Sequence, residues 1–194
     1  MKCYHKSTLV KVQTSDGVQK DKPIGELLND DRLVTYSEVD GLATEPLLTK
    51  VAHTEKGMTA QVLSLTYSSP HKTGTLVLTH NHFIFARTGS KADGLQRMMA
   101  GKARLGYDLF IPSTGEYAQI VQISEISVPS SDLVAVYTFS NTLIVNDVYG
   151  SCQADGDYSE YLDILQKVVG QEVSPSIAQK AGKVIESFLS LRRK

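Results

Sequence analysis

The residues of this chain whose types and spacing could do chemistry are Cys3, the pair Thr79 and His82, and Cys152. Cys3 opens the run Cys3-Tyr4-His5-Lys6-Ser7-Thr8-Leu9-Val10. A thiol entering a first strand is placed to attack the peptide bond on its own N-terminal side; buried filler is the other use of such a cysteine. Thr79-His80-Asn81-His82 directly follows the apolar run Thr75-Leu76-Val77-Leu78. A threonine and a histidine three apart at a strand end can turn toward one point, offering a hydroxyl and a group that exchanges protons near neutral pH. His80 and His82 have no acidic or cysteine companion at conventional ligand spacing, so no metal is expected. Thr142 to Cys152 reads as a buried strand, a tight exit and a second thiol; a core strand with a half-buried cysteine is the plainer reading.

These residues must be held by strands. Thr8 to Gln13 alternates and is followed by a turn at Ser15-Asp16-Gly17. Val18-Gln19-Lys20 comes next, and Lys22 to Leu27 introduces Asp31 to Tyr36. Further strands are expected over 45–52, 59–67, 74–79, 83–86, 108–111, 117–128, 134–139 and 143–145. Ser68 to Gly74 reads as a hairpin tip, and Arg87 to Arg97 as a long, mobile loop. A weak echo links Leu27 to Val34 and the strand after it with Arg104 to Phe110 and Tyr117 to Ile126. It suggests two duplicated sub-units wrapped together, with chance likeness between strands as the alternative.

Composition bounds the rest. The 194 residues carry 20 Lys+Arg and 21 Asp+Glu, a net charge of -1, which gives no reason to expect nucleic acid as a partner. No run is apolar enough for a transmembrane helix, and two cysteines are too few for a disulfide scaffold. No signal peptide is read at the start. The last forty residues change character. Tyr158, Tyr161, Leu162, Leu165, Val168 and Val169 fall at helical spacing before Gly170, and Ser174-Pro175 opens a second apolar stripe through Val184 and Phe188. The expected division is residues 1–154 as an all-β domain and 155–194 as an amphipathic α-helical hairpin.

Five segments in order carry a family resemblance: Cys3-Tyr4 with Ser7-Thr8-Leu9-Val10; Ile24-Gly25-Glu26-Leu27 leading to Asp31-Arg32-Leu33-Val34; Leu78-Thr79-x-x-His82-Phe83; Arg104 to Leu109; and Val145 to Cys152. Together they resemble the Hint domain of hedgehog-type autoprocessing proteins, the Hog domain, from Cys3 to about Ala154. The resemblance implies an all-β horseshoe with pseudo-two-fold symmetry. It also implies a mechanism without cofactor or metal. The Cys3 thiol attacks the preceding carbonyl to give a thioester, His82 protonates the leaving nitrogen, and the Thr79 hydroxyl holds the scissile amide. An alcohol or water then releases the upstream polypeptide of the same precursor; in animal hedgehogs that alcohol is a sterol. Such a domain is the back half of a secreted precursor, which places it in the secretory pathway or outside the cell.

The sequence also departs from the pattern. An aspartate that activates the sterol hydroxyl in animal hedgehogs is replaced, on aligning Leu48 to His53, by His53, which becomes the implied general base or a polar strand-end residue. That leaves sterol, another lipid alcohol or water as the acceptor. The residue before the cysteine is Lys2 rather than the usual glycine, so the chain is expected to be an isolated or post-cleavage domain. Cys152 matches a second family cysteine, either paired with Cys3 in a disulfide or buried and inert. The helical tail, through Tyr161, Leu165, Val184 and Phe188, would contact a lipid adduct, a membrane surface or the β domain. An intein-like splicing or hydrolytic domain and a non-catalytic β binding module are the competing readings. Splicing is disfavoured because Asn146 is followed by Asp147 rather than by a splice nucleophile.

Overall fold

Period-two alternation turns into strand after strand because each buries one face. In His82–Arg87, for example, His82, Ile84 and Ala86 are buried while Phe83, Phe85 and Arg87 are partly exposed. The computed structural model describes residues 3–52, 57–89 and 94–154. A first half comprises β1 (Tyr4–His5), β2 (Leu9–Gln13), β3 (Gln19–Pro23), β4 (Arg32–Ser37), β5 (Gly41–Pro46), β6 (Thr49–Ala52) and β7 (Thr59–Ser68). A second half comprises β8 (Thr73–Leu78), β9 (His82–Arg87), β10 (Gln96–Met99), β11 (Asp108–Ile111), β12 (Glu116–Pro129) and β13 (Leu133–Tyr137), and a hairpin of β14 (Thr142–Val145) and β15 (Val148–Ala154) follows. Among the described residues the strands join one antiparallel path, β5-β4-β2-β14-β15-β9-β11-β12-β7-β8-β1-β13-β6, with β3 beside β2 and β10 beside β9.

The two halves repeat the same pairings. In the first, β2 pairs β3 and β4, and β4 pairs β5; in the second, β9 pairs β10 and β11, and β11 pairs β12. A 3-10 turn sits at the same point of each, Ile24–Glu26 and Ala100–Lys102. Its glycine donates its N–H to a preceding tight turn, Gly25 to the Lys6 carbonyl at 2.9 Å and Gly101 to the His80 carbonyl at 2.8 Å. That places His5 to Thr8 in the position that Thr79 to His82 holds in the other half. The echo in the sequence is therefore a duplication of topology, and the pseudo-two-fold horseshoe follows from it.

Three local expectations are corrected. The strand over 45–52 divides: β5 ends at Pro46, and the Leu47 and Leu48 N–H groups bond to the carbonyls of Asp31 and Tyr137, both at 3.0 Å, as the chain crosses from β4 to β13. The loop over 87–97 gives up its end to β10, which pairs with β9 and lays Arg97 over the Phe83 ring at 4.4 Å. The tight exit after β14 is a hairpin turn whose two central residues, Asn146 and Asp147, have φ of 45° and 68°. Asn146 tolerates that conformation and staples three segments, its Oδ1 accepting the Leu9 N–H, its Nδ2 donating to the Thr75 carbonyl, and its own carbonyl accepting the Tyr67 hydroxyl. The helical hairpin expected over 155–194 lies outside the described residues.

Candidate active site

Strand order brings Cys3 to the Thr79 turn. β1 lies between β8 and β13, with Tyr4 opposite Leu78 on one side and Val134 on the other. Cys3, just before β1, therefore sits beside Thr79, just after β8. The Thr79 N–H donates to the Cys3 carbonyl at 3.0 Å, and the Cys3 N–H donates to Thr79 Oγ1 at 3.0 Å. The nitrogen of the peptide bond that precedes Cys3 is thus held by a side-chain oxygen in a buried setting, where such a bond is strong. The His82 N–H donates to the Thr79 carbonyl at 3.0 Å, so hydroxyl and imidazole stand at the two ends of one tight turn. Cys3 is 0% and His82 1% exposed.

The imidazole is oriented by a carbonyl. His82 Nε2 lies 2.7 Å from the Ser151 oxygen, which can only accept, so Nε2 carries a proton and Nδ1 is the atom that gains or loses one. The Tyr4 hydroxyl donates to the same carbonyl at 3.0 Å, and its ring packs on the imidazole with centroids 4.2 Å apart. Burial, and then the neighbouring Cys152, holds the Tyr4 phenol well above its ordinary pKa, so it remains a donor. Gly150 makes room for this arrangement: a Cβ there would meet Val145 Cγ2 at 2.5 Å and Tyr4 Oη at 2.7 Å. Tyr4 and Ser151 are the site residues that sequence reasoning passed over; the available signal was a glycine inside the last strand, which marks a close approach.

Cys152 borders the Tyr4 side of the site but does not pair with Cys3. Neither cysteine is in a disulfide. Cys152 packs in the main core and meets Thr138 Oγ1 at 3.4 Å, whereas Cys3 packs with Val62, Val128, Leu133 and Ala135 in a second cluster. Burial pushes the Cys152 thiol up to about 12, against a smaller lowering by Thr138. The thiol is therefore protonated, and unreactive as a nucleophile, at neutral pH. We expect iodoacetamide to leave Cys152 unmodified in the folded protein and to modify it in guanidinium, read by peptide mass mapping. Because its folded pKa is raised from 9.0, the burial of this thiol is fully tolerated below pH 9 and costs stability as pH rises toward about 12.

His53, the residue aligned with the acceptor-activating position, lies outside the described residues, as do Tyr161, Leu165, Val184 and Phe188. Among the described residues no three His, Cys, Asp or Glu side chains gather in a way that could hold a metal ion.

A duplicated antiparallel horseshoe of this topology defines a class of fold. The sequence matches the Hint module over residues 1–164, and the chain belongs to that family. It is a self-processing Hint domain, a class whose chemistry is autocatalytic peptide-bond cleavage or splicing. Its fold is similar to that of an intein from a hyperthermophile, with a TM-score of 0.63, 13% identity and 78% of this chain and 99% of that one covered. It is similar also to a DnaB intein from Synechocystis sp. PCC 6803, with a TM-score of 0.59, 17% identity and coverage of 79% and 99%. The Pab PolII intein gives a TM-score of 0.60 at 12% identity, covering 78% of this chain and 100% of that one. No curated protein matches the sequence.

Proposed function

We propose that this domain cleaves the peptide bond preceding Cys3 by an N-to-S acyl shift and passes the upstream polypeptide to an alcohol acceptor, as the hedgehog-type branch of Hint domains does. The observation that carries the reading is the bond from the Cys3 N–H to Thr79 Oγ1 at 3.0 Å, on the turn that also presents His82. The Cys3 sulfur bonds to the preceding carbonyl carbon and loses its proton; the C–N bond breaks, and the nitrogen takes up a proton to leave as the new α-amine. His82 handles that proton through Nδ1, since Nε2–H is committed to Ser151. Thr79 Oγ1 accepts from the amide N–H and so fixes the orientation of the scissile peptide plane for attack. In the second step an acceptor hydroxyl gives its proton to His53 and bonds to the thioester carbonyl carbon; the C–S bond breaks, and the Cys3 sulfur leaves and is reprotonated to the thiol. The acceptor is a sterol or another lipid alcohol, with the helical tail contacting lipid, and the setting is the secretory pathway.

Asn146 is poorly suited to splicing by cyclisation, because both ends of its side-chain amide are bound to the Leu9 and Thr75 backbone.

The test is a precursor in which a reporter ending in glycine is joined directly to Cys3. Dithiothreitol or hydroxylamine is expected to release the reporter, and a sterol to release it with the sterol's mass added. Release only by water or by another alcohol removes the sterol part of the reading, and no release under any condition removes the whole. His53→Ala is expected to suppress alcohol transfer at least tenfold while thiol-induced release persists.

A further inference from the structure

The turn that duplicates Thr79 to His82 carries a second set of reactive groups. The Thr8 N–H donates to the His5 carbonyl at 2.9 Å, as the His82 N–H does to the Thr79 carbonyl at 3.0 Å. A side-chain hydrogen bond to a carboxylate anchors each copy, Lys6 to Asp132 at 2.8 Å and His80 to Glu125 at 2.9 Å. In this first copy Ser7 Oγ lies 2.7 Å from His5 Nδ1, and the Ser7 N–H also points to that nitrogen at 3.3 Å. A backbone N–H can only donate, so Nδ1 is the acceptor and the ring proton sits on Nε2. Nε2 faces Asp132 Oδ2 at 3.6 Å, and Lys6 occupies the other carboxylate oxygen. The hydrogen bond from Lys6, with the nearby His5, holds the Asp132 carboxyl below its usual range, so it is ionised at neutral pH.

We infer that Ser7, His5 and Asp132 form a second acyl-transfer centre, distinct from Cys3, that acts on small esters. The order of groups is the one nucleophilic catalysis requires: hydroxyl to imidazole, and the opposite ring N–H to a carboxylate. A 3.6 Å contact is longer than a tight hydrogen bond, as is common before substrate binds. Ser7 is exposed and lines a groove of about 310 Å³ whose walls include Leu9, Tyr67 and Asn146 beside the charged Asp21, Lys72 and Asp147. Space of that size, with one aliphatic side chain beside hydroxyl, amide and charged groups, suits a short acyl chain on a small polar alcohol. Ser7 Oγ attacks the ester carbonyl carbon and its proton passes to His5 Nδ1. The C–O bond to the alcohol breaks, and the leaving oxygen takes that proton. Water then attacks acyl-Ser7 by the same path and releases the acid, restoring the Ser7 hydroxyl.

The full chain treated with an alkyl fluorophosphonate is expected to be labelled at Ser7 at least tenfold faster than at its other serines, as read by peptide mass mapping. With p-nitrophenyl acetate, Ser7→Ala and Asp132→Asn are each expected to lower hydrolysis at least tenfold. His5→Gln gives the same readout should Asp132→Asn fail to fold. Ser7 labelling persists in Cys3→Ala, which separates this centre from the processing site. Labelling spread evenly over exposed serines, unchanged hydrolysis in Ser7→Ala, or loss of Ser7 labelling in Cys3→Ala would each overturn the proposal.

Discussion

Replacing Cys3 by alanine in a reporter precursor is expected to lower thiol-induced release by at least about 10³-fold, the order of loss when a covalent nucleophile is removed. The physical case rests on what is left behind. Thr79 Oγ1 and the Thr79 N–H bond to the Cys3 backbone, not to its side chain, so the scissile amide keeps its place in the variant. The Cys3 side chain is fully buried among Val62, Val128, Leu133 and Ala135, where an alanine methyl is tolerated at the cost of a small void. The variant should therefore fold, position the bond and fail to cut it. Cys3→Ser sharpens the point. A hydroxyl in the same place supports a slower N-to-O shift, giving an ester that hydroxylamine opens. Release on denaturing gels with dithiothreitol and with hydroxylamine measures both. Undiminished release in Cys3→Ala would remove Cys3 from the mechanism.

The second large effect is at His82. His82→Gln is expected to slow thiol-induced release by about 10²- to 10⁴-fold, the range for loss of a positioned general acid–base group. Glutamine is the informative replacement because its amide N–H can reach the Ser151 carbonyl as Nε2–H does, while nothing on it titrates. The Tyr4 hydroxyl also continues to satisfy that carbonyl. A melting temperature close to the parent's with lost cleavage would assign the effect to proton transfer. A fall in both would assign it to packing against Tyr4, whose ring centroid is 4.2 Å from the imidazole. Cleavage rates and thermal melts of the same preparations distinguish the two.

Much of this site was legible locally, and the limits of that legibility are instructive. Asp108 to Ile111 and the long strand after it were readable because their alternation and flanking glycines are local signals. The strand over 45–52 was misread because its break depends on carbonyls of Asp31 and Tyr137, far away in the chain. The Asn146-Asp147 turn was read as an exit, although its residue types suit positive φ, because β15 has few apolar alternations to announce it. Ser151 carries no side-chain signal for its role, since it acts through a backbone carbonyl that every residue possesses.

By itself the sequence determined the reactive inventory and its local presentation: a thiol entering a first strand, a threonine and histidine on one tight turn, a buried strand ending near a second thiol, and an order of elements that repeats. Tertiary structure alone decided which of these meet. The Cys3 amide finds Thr79, 76 residues away, only because β1 pairs between β8 and β13. His82 takes its protonation pattern from a carbonyl on β15, 69 residues away. The two cysteines, similar in the sequence, part into separate cores. Strand pairing is non-local: its register depends on hydrogen bonds and side-chain burial between segments whose order in space is not written in either segment.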